Sequence, residues 1–100
     1  MRLMSQMTLA ELQEEMERLR TEAEAKKKAG DLVGFGILEQ KYFMAKSYYI
    51  GTGEFRIGKA YRVHNHDEPF TIQYFNGVFA WGTFPGVTEP TGFPIGMLED

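Results

Sequence analysis

The chain has 100 residues, of which 43% are apolar and 25% are charged, and its net charge is −3. This length provides one modest hydrophobic core, and the composition is that of an ordinary globular domain. The absence of cysteine excludes disulfides, thiolate nucleophiles and cysteine-based metal sites. No run approaches the roughly 20 apolar residues of a spanning helix, and residues 1–7 lack the apolar region of a signal peptide. The sequence therefore predicts a cytoplasmic protein.

The first predicted element is an amphipathic helix that begins after Thr8. Its apolar residues recur three and four positions apart, as one face of a helix requires. They are Leu9, Leu12, Met16, Leu19 and Ala23. Thr8 and Glu11 have the spacing of a capping box, and Met7 and Leu12 that of a hydrophobic staple. Gly30 is the predicted stop.

A second helix is predicted between Asp31, which can cap it, and a stop at Gly51. The same apolar spacing recurs at Phe35, Leu38, Tyr42, Ala45 and Tyr49. The short turn between the helices predicts an antiparallel helical hairpin. Gly34 and Gly36 weaken the first turns. The sequence leaves open whether the helix frays there or whether these residues are small to allow close packing.

Three residues of this second helix lie away from its main apolar stripe. Phe43 and Ile50 form a second apolar edge, which self-association would bury. Ser47, one of only two serines, is predicted to be ordinary polar surface.

After Gly51 the pattern becomes that of short strands, predicted over residues 59–64, 70–75 and 78–84. A last strand is expected around Phe93 and Ile95, with Pro94 confining it to a sheet edge. Helices followed by strands predict an α+β domain with a small, strongly curved antiparallel sheet that closes into a barrel-like body.

The pair Asn76-Gly77 predicts a β-hairpin with a type I′ turn. In this register Tyr74 faces Phe79, and Ile72 faces Trp81. The register places five large apolar residues on one face of the hairpin. They are Phe70, Ile72, Tyr74, Phe79 and Trp81.

Four segments carry a resemblance to a known family. They are Met7-Thr8-x-x-Glu11-Leu12, Leu38-Glu39-x-Lys41-x-x-Met44-Ala45-Lys46-x-Tyr48, Gly58-x-x-Tyr61-Arg62-Val63, and Phe70-Thr71-Ile72-x-Tyr74-x-Asn76-Gly77-Val78-Phe79-Ala80-Trp81-Gly82. Through them the chain resembles, over nearly its whole length, the YfhH-like family of small uncharacterised bacterial proteins.

The resemblance implies an N-terminal antiparallel helical hairpin, residues 1–51, followed by a small SH3-like antiparallel β-barrel, residues 52–100, the two packed as one compact unit. It also implies an intracellular protein of spore-forming Gram-positive bacteria. It implies no function, because SH3-like barrels serve in peptide binding, nucleic-acid binding and structural roles.

The two histidines, His64 and His66, would share one side of a strand, next to Asp67 and Glu68. Two imidazoles and a carboxylate can bind zinc or iron. Residues 65–69 are equally typical of a solvated turn. The sequence therefore predicts no metal site and retains His64 and His66 as candidates only.

No catalytic constellation is recognisable. Ser5 and Ser47 have no obvious neighbouring base, and no glycine-rich phosphate loop opens a helix. The sequence predicts a protein without enzymatic activity or cofactor.

The aromatic residues and the basic end of the hairpin suggest two kinds of partner. Tyr74, Phe79 and Trp81 are the candidates for binding a protein partner or a second copy, although burial in the core and along the hairpin is the competing explanation for so many aromatics. The alternative is a nucleic-acid-associated regulator. Its candidate residues are Arg18, Arg20, Lys26, Lys27 and Lys28. Residues 51–100, with three basic and six acidic side chains, would repel a polyanion.

Overall fold

A computed structural model describes residues 3–100, which form two helices followed by a five-stranded antiparallel sheet. The helices are α1 (Leu9–Lys28) and α2 (Leu32–Ile50), and the strands are β1 (Ala60–Val63), β2 (Pro69–Asn76), β3 (Phe79–Thr83), β4 (Thr91–Pro94) and β5 (Leu98–Glu99). Single 3₁₀ turns at Met4–Gln6 and Ile95–Met97 precede α1 and β5. Within the described residues, neither helix is long and apolar enough to cross a membrane.

Local capping sets the bounds of both helices. The Thr8 hydroxyl accepts the Glu11 N–H at 3.1 Å, while the Glu11 carboxylate accepts the Thr8 N–H at 3.0 Å. This confirms the capping box. Gly30 ends α1 with a φ of +79°, and Asp31 caps α2 by accepting the Gly34 N–H at 2.9 Å. α2 is helical from Leu32 onwards. A Cβ on Gly34 would lie 2.5 Å from the Asp31 carboxylate, so glycine at this position leaves room for the cap.

The two helices pack through a small apolar cluster centred on Leu12, Leu19 and Ala45. Leu9, expected on the same face, is 63% exposed. Met4 and Met7 pack against this end of the cluster instead, so the N-terminal segment covers the place that Leu9 was expected to take. The helical hairpin itself is confirmed.

The strands follow the order β4-β3-β2-β1-β5, so β4 and β5 are the edges. β4 confirms the predicted edge strand, whereas β5 was not predicted. One face of the sheet carries a second apolar cluster, formed by Tyr61, Val63, Phe70, Ile72, Ala80, Ile95 and Leu98. Among residues 3–100 no pairing joins β4 to β5, so the sheet is open and the predicted closure into a barrel is not observed.

The loop predicted for the β2–β3 hairpin is displaced by one residue, so the pairing predicted next to the turn is wrong by two residues: Tyr74 pairs with Trp81 instead of Phe79. Asn76 pairs with Phe79, and the loop consists of Gly77 and Val78. Gly77 has a φ of +61°, and a positive φ at the first loop position is the pattern of a type II′ turn. The Asn-Gly pair permits either loop.

A β-bulge at Gln73 then divides the predicted apolar face in two. Ile72 pairs with Gly82 and Tyr74 pairs with Trp81, so β2 contains one residue more than β3 between these pairs. Because side chains alternate between faces, the extra residue turns Ile72 towards the core and Tyr74 away from it.

The helical hairpin and the sheet meet where α2 packs against the 3₁₀ turn Ile95–Met97. Ser47 is 0% exposed there, so its prediction as polar surface is wrong. Its hydroxyl donates to the Phe43 carbonyl at 2.6 Å and accepts the Gly96 N–H at 2.8 Å. The predicted outer edge of α2 is also wrong, because Phe43 is buried and Ile50 packs against the sheet cluster.

Candidate protein-interaction surface

The outer face of the sheet carries a stacked aromatic pair. The rings of Tyr74 and Trp81 are nearly parallel, with an interplanar angle of 2° and 6.1 Å between centroids. The bulge that precedes Tyr74 places this ring on the outer face. On the other side the indole ring of Trp81 packs closely against Gly92 of β4, where a Cβ would come 2.5 Å from the ring. The pair therefore forms an aromatic platform that crosses β2, β3 and β4.

Phe79 extends the platform along β3, because it lies two residues from Trp81 and so points to the same face. It pairs with Asn76 on one side and Pro94 on the other. The structure thus brings together the three residues Tyr74, Phe79 and Trp81 that the sequence suggested for a partner.

The platform is accessible and has donors of its own. Tyr74 is 46% exposed, whereas Phe79 and Trp81 are half-buried. Within residues 3–100 neither the Tyr74 hydroxyl nor the Trp81 indole N–H has a hydrogen-bond partner. Tyrosine and tryptophan combine a large apolar area with one polar group, which suits them to protein interfaces.

The five basic candidates of the hairpin do not form one uncompensated patch. Arg18 lies between Glu15 and Glu22, and the hydrogen bonds that it donates, first to Glu15 and then to Glu22, raise the pKa of the Arg18 guanidinium. Lys26 is 3.8 Å from Asp31. Both charges therefore have a carboxylate close by on the same helical hairpin.

The remaining basic side chains have separate surroundings. Lys27 lies over the Phe35 ring, 5.6 Å from its centroid. Together with Arg20, these two residues line a groove between the helices and the end of β1. Lys28 is exposed at the end of α1, as the helix dipole favours.

The two histidines point to different neighbours. Asn65, between them, has a φ of +65°, so the chain turns there and His64 and His66 do not share a strand face. The His64 ring lies 4.8 Å from that of Phe43, while the His66 ring stacks on Phe84 at 5.4 Å. In the described part of the chain no group of three histidine or acidic side chains could hold a metal ion.

His64 has a neighbour that the sequence did not suggest. Its Nε2 lies 3.6 Å from the Glu39 carboxylate of α2, at the end of a groove of about 360 Å³. Both side chains are about one-third exposed. Sequence reasoning missed Glu39 because its contact with His64, just after β1, depends on how the helical hairpin packs on the sheet, and no local sequence pattern reports that.

Comparison with known proteins places this chain in a family. Residues 2–99 match the family described as "Protein of unknown function (DUF1811)", and the chain belongs to it. It is also similar to the "Uncharacterized protein YfhH" of Bacillus subtilis (strain 168), with 37% identity over 97 residues, which cover 96% of this chain and 93% of that protein. The family resemblance seen in the sequence is confirmed, and neither description states a function.

Proposed function

We propose that this protein is a non-enzymatic protein-interaction module that binds its partner through the Tyr74–Trp81 platform. The observation that carries the proposal is the parallel stack of these two rings on the face away from the core cluster. Large aromatic side chains with unused donors dominate the binding energy of many interfaces. A core role alone would not leave Tyr74 46% exposed.

The two rings are also held in place before binding. Trp81 is fixed between Tyr74 and the backbone of Gly92, so little side-chain entropy remains to be lost on association. A rigid aromatic surface of this kind favours a partner that offers an apolar or aromatic group.

Substitution of Trp81 tests the proposal. In a purification that retains bound proteins, Trp81→Ala and Tyr74→Ala should each lose a partner that the unmodified chain retains. Tyr74→Ala should affect folding stability less than Trp81→Ala, since the partly exposed Tyr74 ring contributes less to stability than the roughly 1.5–3 kcal/mol of a fully buried side chain. Circular dichroism would show that both variants remain folded.

Val87→Ala provides the control, because Val87 is also an exposed apolar residue, 49% exposed, in the loop between β3 and β4. It should retain the same partner. Retention of that partner by Trp81→Ala and Tyr74→Ala at the level of the control would refute the platform as the binding surface.

We also retain the SH3-like barrel as part of this proposal. The short connection between the two edge strands, β4 and β5, supports it. The edges of a flat five-stranded sheet lie about 19 Å apart. β4 ends at Pro94 and β5 begins at Leu98, and four residues reach at most about 14 Å, less where they form a 3₁₀ turn. The sheet must therefore curl its edges towards each other, around the cluster that contains Ile95. An experimental structure with flat, well-separated edges would contradict this.

The nucleic-acid alternative rests on Arg20, Lys27 and Lys28, since Arg18 and Lys26 have acidic partners. The same purification distinguishes it, because a bound nucleic acid would be released by salt in proportion to the phosphates neutralised and removed by nuclease. A protein partner held by apolar contacts would resist both treatments. The cytoplasmic location is likewise a prediction, which cell fractionation would check.

A further inference from the structure

The apolar side chains of α2 are not confined to one face, which is typical of a helix covered by several neighbours. α1 covers one side through the cluster that contains Ala45. The sheet covers a second side through Phe43 and Ser47. On a third side Tyr48 packs against the edge of the cluster of the two helices, and the rest has no such cover in the described residues.

This third side is continuous along the helix. It consists of Val33, Ile37, Gln40, Lys41, Met44 and Tyr48. At 3.6 residues per turn these six positions fall within a sector of about 100°. Val33 is 77% and Ile37 is 55% exposed. Together with Leu3 and Met4, which run beside the helix, the face borders an apolar trough of about 630 Å³.

The face is apolar towards both of its ends and polar in the middle. Val33 and Ile37 lie on one side of the pair Gln40 and Lys41, and Met44 and Tyr48 lie on the other side, so the same classes of side chain follow one another in either direction along the helix. A two-fold interface uses one patch on both subunits and therefore requires a patch that is complementary to itself. Two antiparallel copies of this face would match Val33 with Tyr48 and Ile37 with Met44.

We infer that a second copy of this chain covers the third face, by antiparallel pairing of α2 with the partner's α2 about an axis at Gln40 and Lys41. The polar pair at the axis supports this occupant over an unrelated protein. Within residues 3–100 neither side chain has a hydrogen-bond or ion-pair partner, and a Gln40 carbonyl can accept from a lysine ammonium. The two-fold axis brings each Gln40 next to the other copy's lysine, and this contact forms twice.

Analytical ultracentrifugation over about 1 µM to about 1 mM, a range that spans weak and moderate dissociation constants, measures the association. The unmodified chain is expected to change from monomer to dimer in this range. Ile37→Glu puts a carboxylate against Met44 at two symmetric places and should raise the dissociation constant by at least about tenfold, since an unpaired charge is costly to bury.

Leu32→Glu is the matched control. Leu32 is 72% exposed and belongs to the same helix, but it lies outside the sector of the third face, so this variant should dimerise like the unmodified chain. Trp81→Ala should dimerise as well, which separates this interface from the aromatic platform. A chain that stays monomeric at the highest concentration, or a dimer that Ile37→Glu leaves intact, would overturn the inference.

The pairing register has a test of its own, because the chain contains no cysteine. In Gln40→Cys the two thiols lie beside the axis, and a short bismaleimide linker should join the two copies. Thr88→Cys, in an exposed loop, should not be joined above the level of random collisions. Equal cross-linking of the two variants would contradict the antiparallel register even if the chain is dimeric.

Discussion

At the scale of single residues, Ser47 joins the two halves of the protein through one hydroxyl group. It donates to the carbonyl of Phe43, in its own helix, and accepts the N–H of Gly96, which is 49 residues away. A serine hydroxyl supplies both a donor and an acceptor, so one buried side chain satisfies a helix carbonyl and a turn amide. Gly96 permits this contact because a Cβ there would lie 2.5 Å from the Phe43 carbonyl oxygen.

Ser47→Ala should therefore destabilise the protein. Without the hydroxyl the Gly96 N–H is buried and unpaired, which costs about 1–3 kcal/mol. Urea denaturation measures the difference. Ser5→Ala removes an exposed serine and should change the free energy of unfolding by less than about 0.5 kcal/mol. Equal effects of the two substitutions would show that the Ser47 hydroxyl does not hold the junction.

The same residue shows what sequence reasoning could and could not reach. The caps at Thr8 and Asp31 were predictable because donor and acceptor lie three residues apart. The role of Ser47 was not predictable, because its partner Gly96 lies 49 residues away. From α2 alone Ser47 looks like a solvent-exposed residue, and only the packing of the 3₁₀ turn before β5 buries it. Glu39 beside His64 was missed for the same reason, since this contact is also long-range.

At the scale of elements, the bounds of the helices follow from local signals, whereas the register of the strands does not. An Asn-Gly pair fixes that a hairpin exists, but a bulge elsewhere in the hairpin decides which face each residue occupies. Here the bulge between Ile72 and Tyr74 keeps one residue in the core and frees the next. The candidate platform depends on that irregularity, and alternation alone would have buried Tyr74.

The start of α1 provides a test of the local signals. Thr8→Ala removes the hydroxyl that accepts the Glu11 N–H and should lower the free energy of unfolding by about 1 kcal/mol. Thr21→Ala is the matched control, because Thr21 lies inside the same helix, where its hydroxyl bonds only to the Glu17 carbonyl. Alanine has the higher helix propensity, so the control should be neutral or slightly stabilising. A control that loses as much stability as Thr8→Ala would refute the capping argument.

At the scale of the whole molecule, the two apolar clusters are too small to be stable separately. One contains Leu12, Leu19 and Ala45, the other seven residues of the sheet and its 3₁₀ turn. An isolated helical hairpin or a sheet of this size would have little net stability, since small chains bury a smaller fraction of their surface. The junction at Ser47, with Phe43 and Ile50 beside it, connects the two clusters. We therefore predict that the protein unfolds as one cooperative unit.

The single tryptophan makes this prediction measurable. Trp81 fluorescence reports on the sheet, while circular dichroism at helical wavelengths reports on α1 and α2, so one cooperative unit requires coincident midpoints. Gly96→Ala should lower the free energy of unfolding by about 1–3 kcal/mol, because the added Cβ overpacks the junction. Both midpoints should therefore fall together. Gly36→Ala, where a Cβ meets open space, should instead stabilise α2 by about 0.5–1 kcal/mol. Midpoints that separate in the unmodified chain would show that the hairpin and the sheet fold independently, and Ser47 would then be a contact between two domains rather than part of one core.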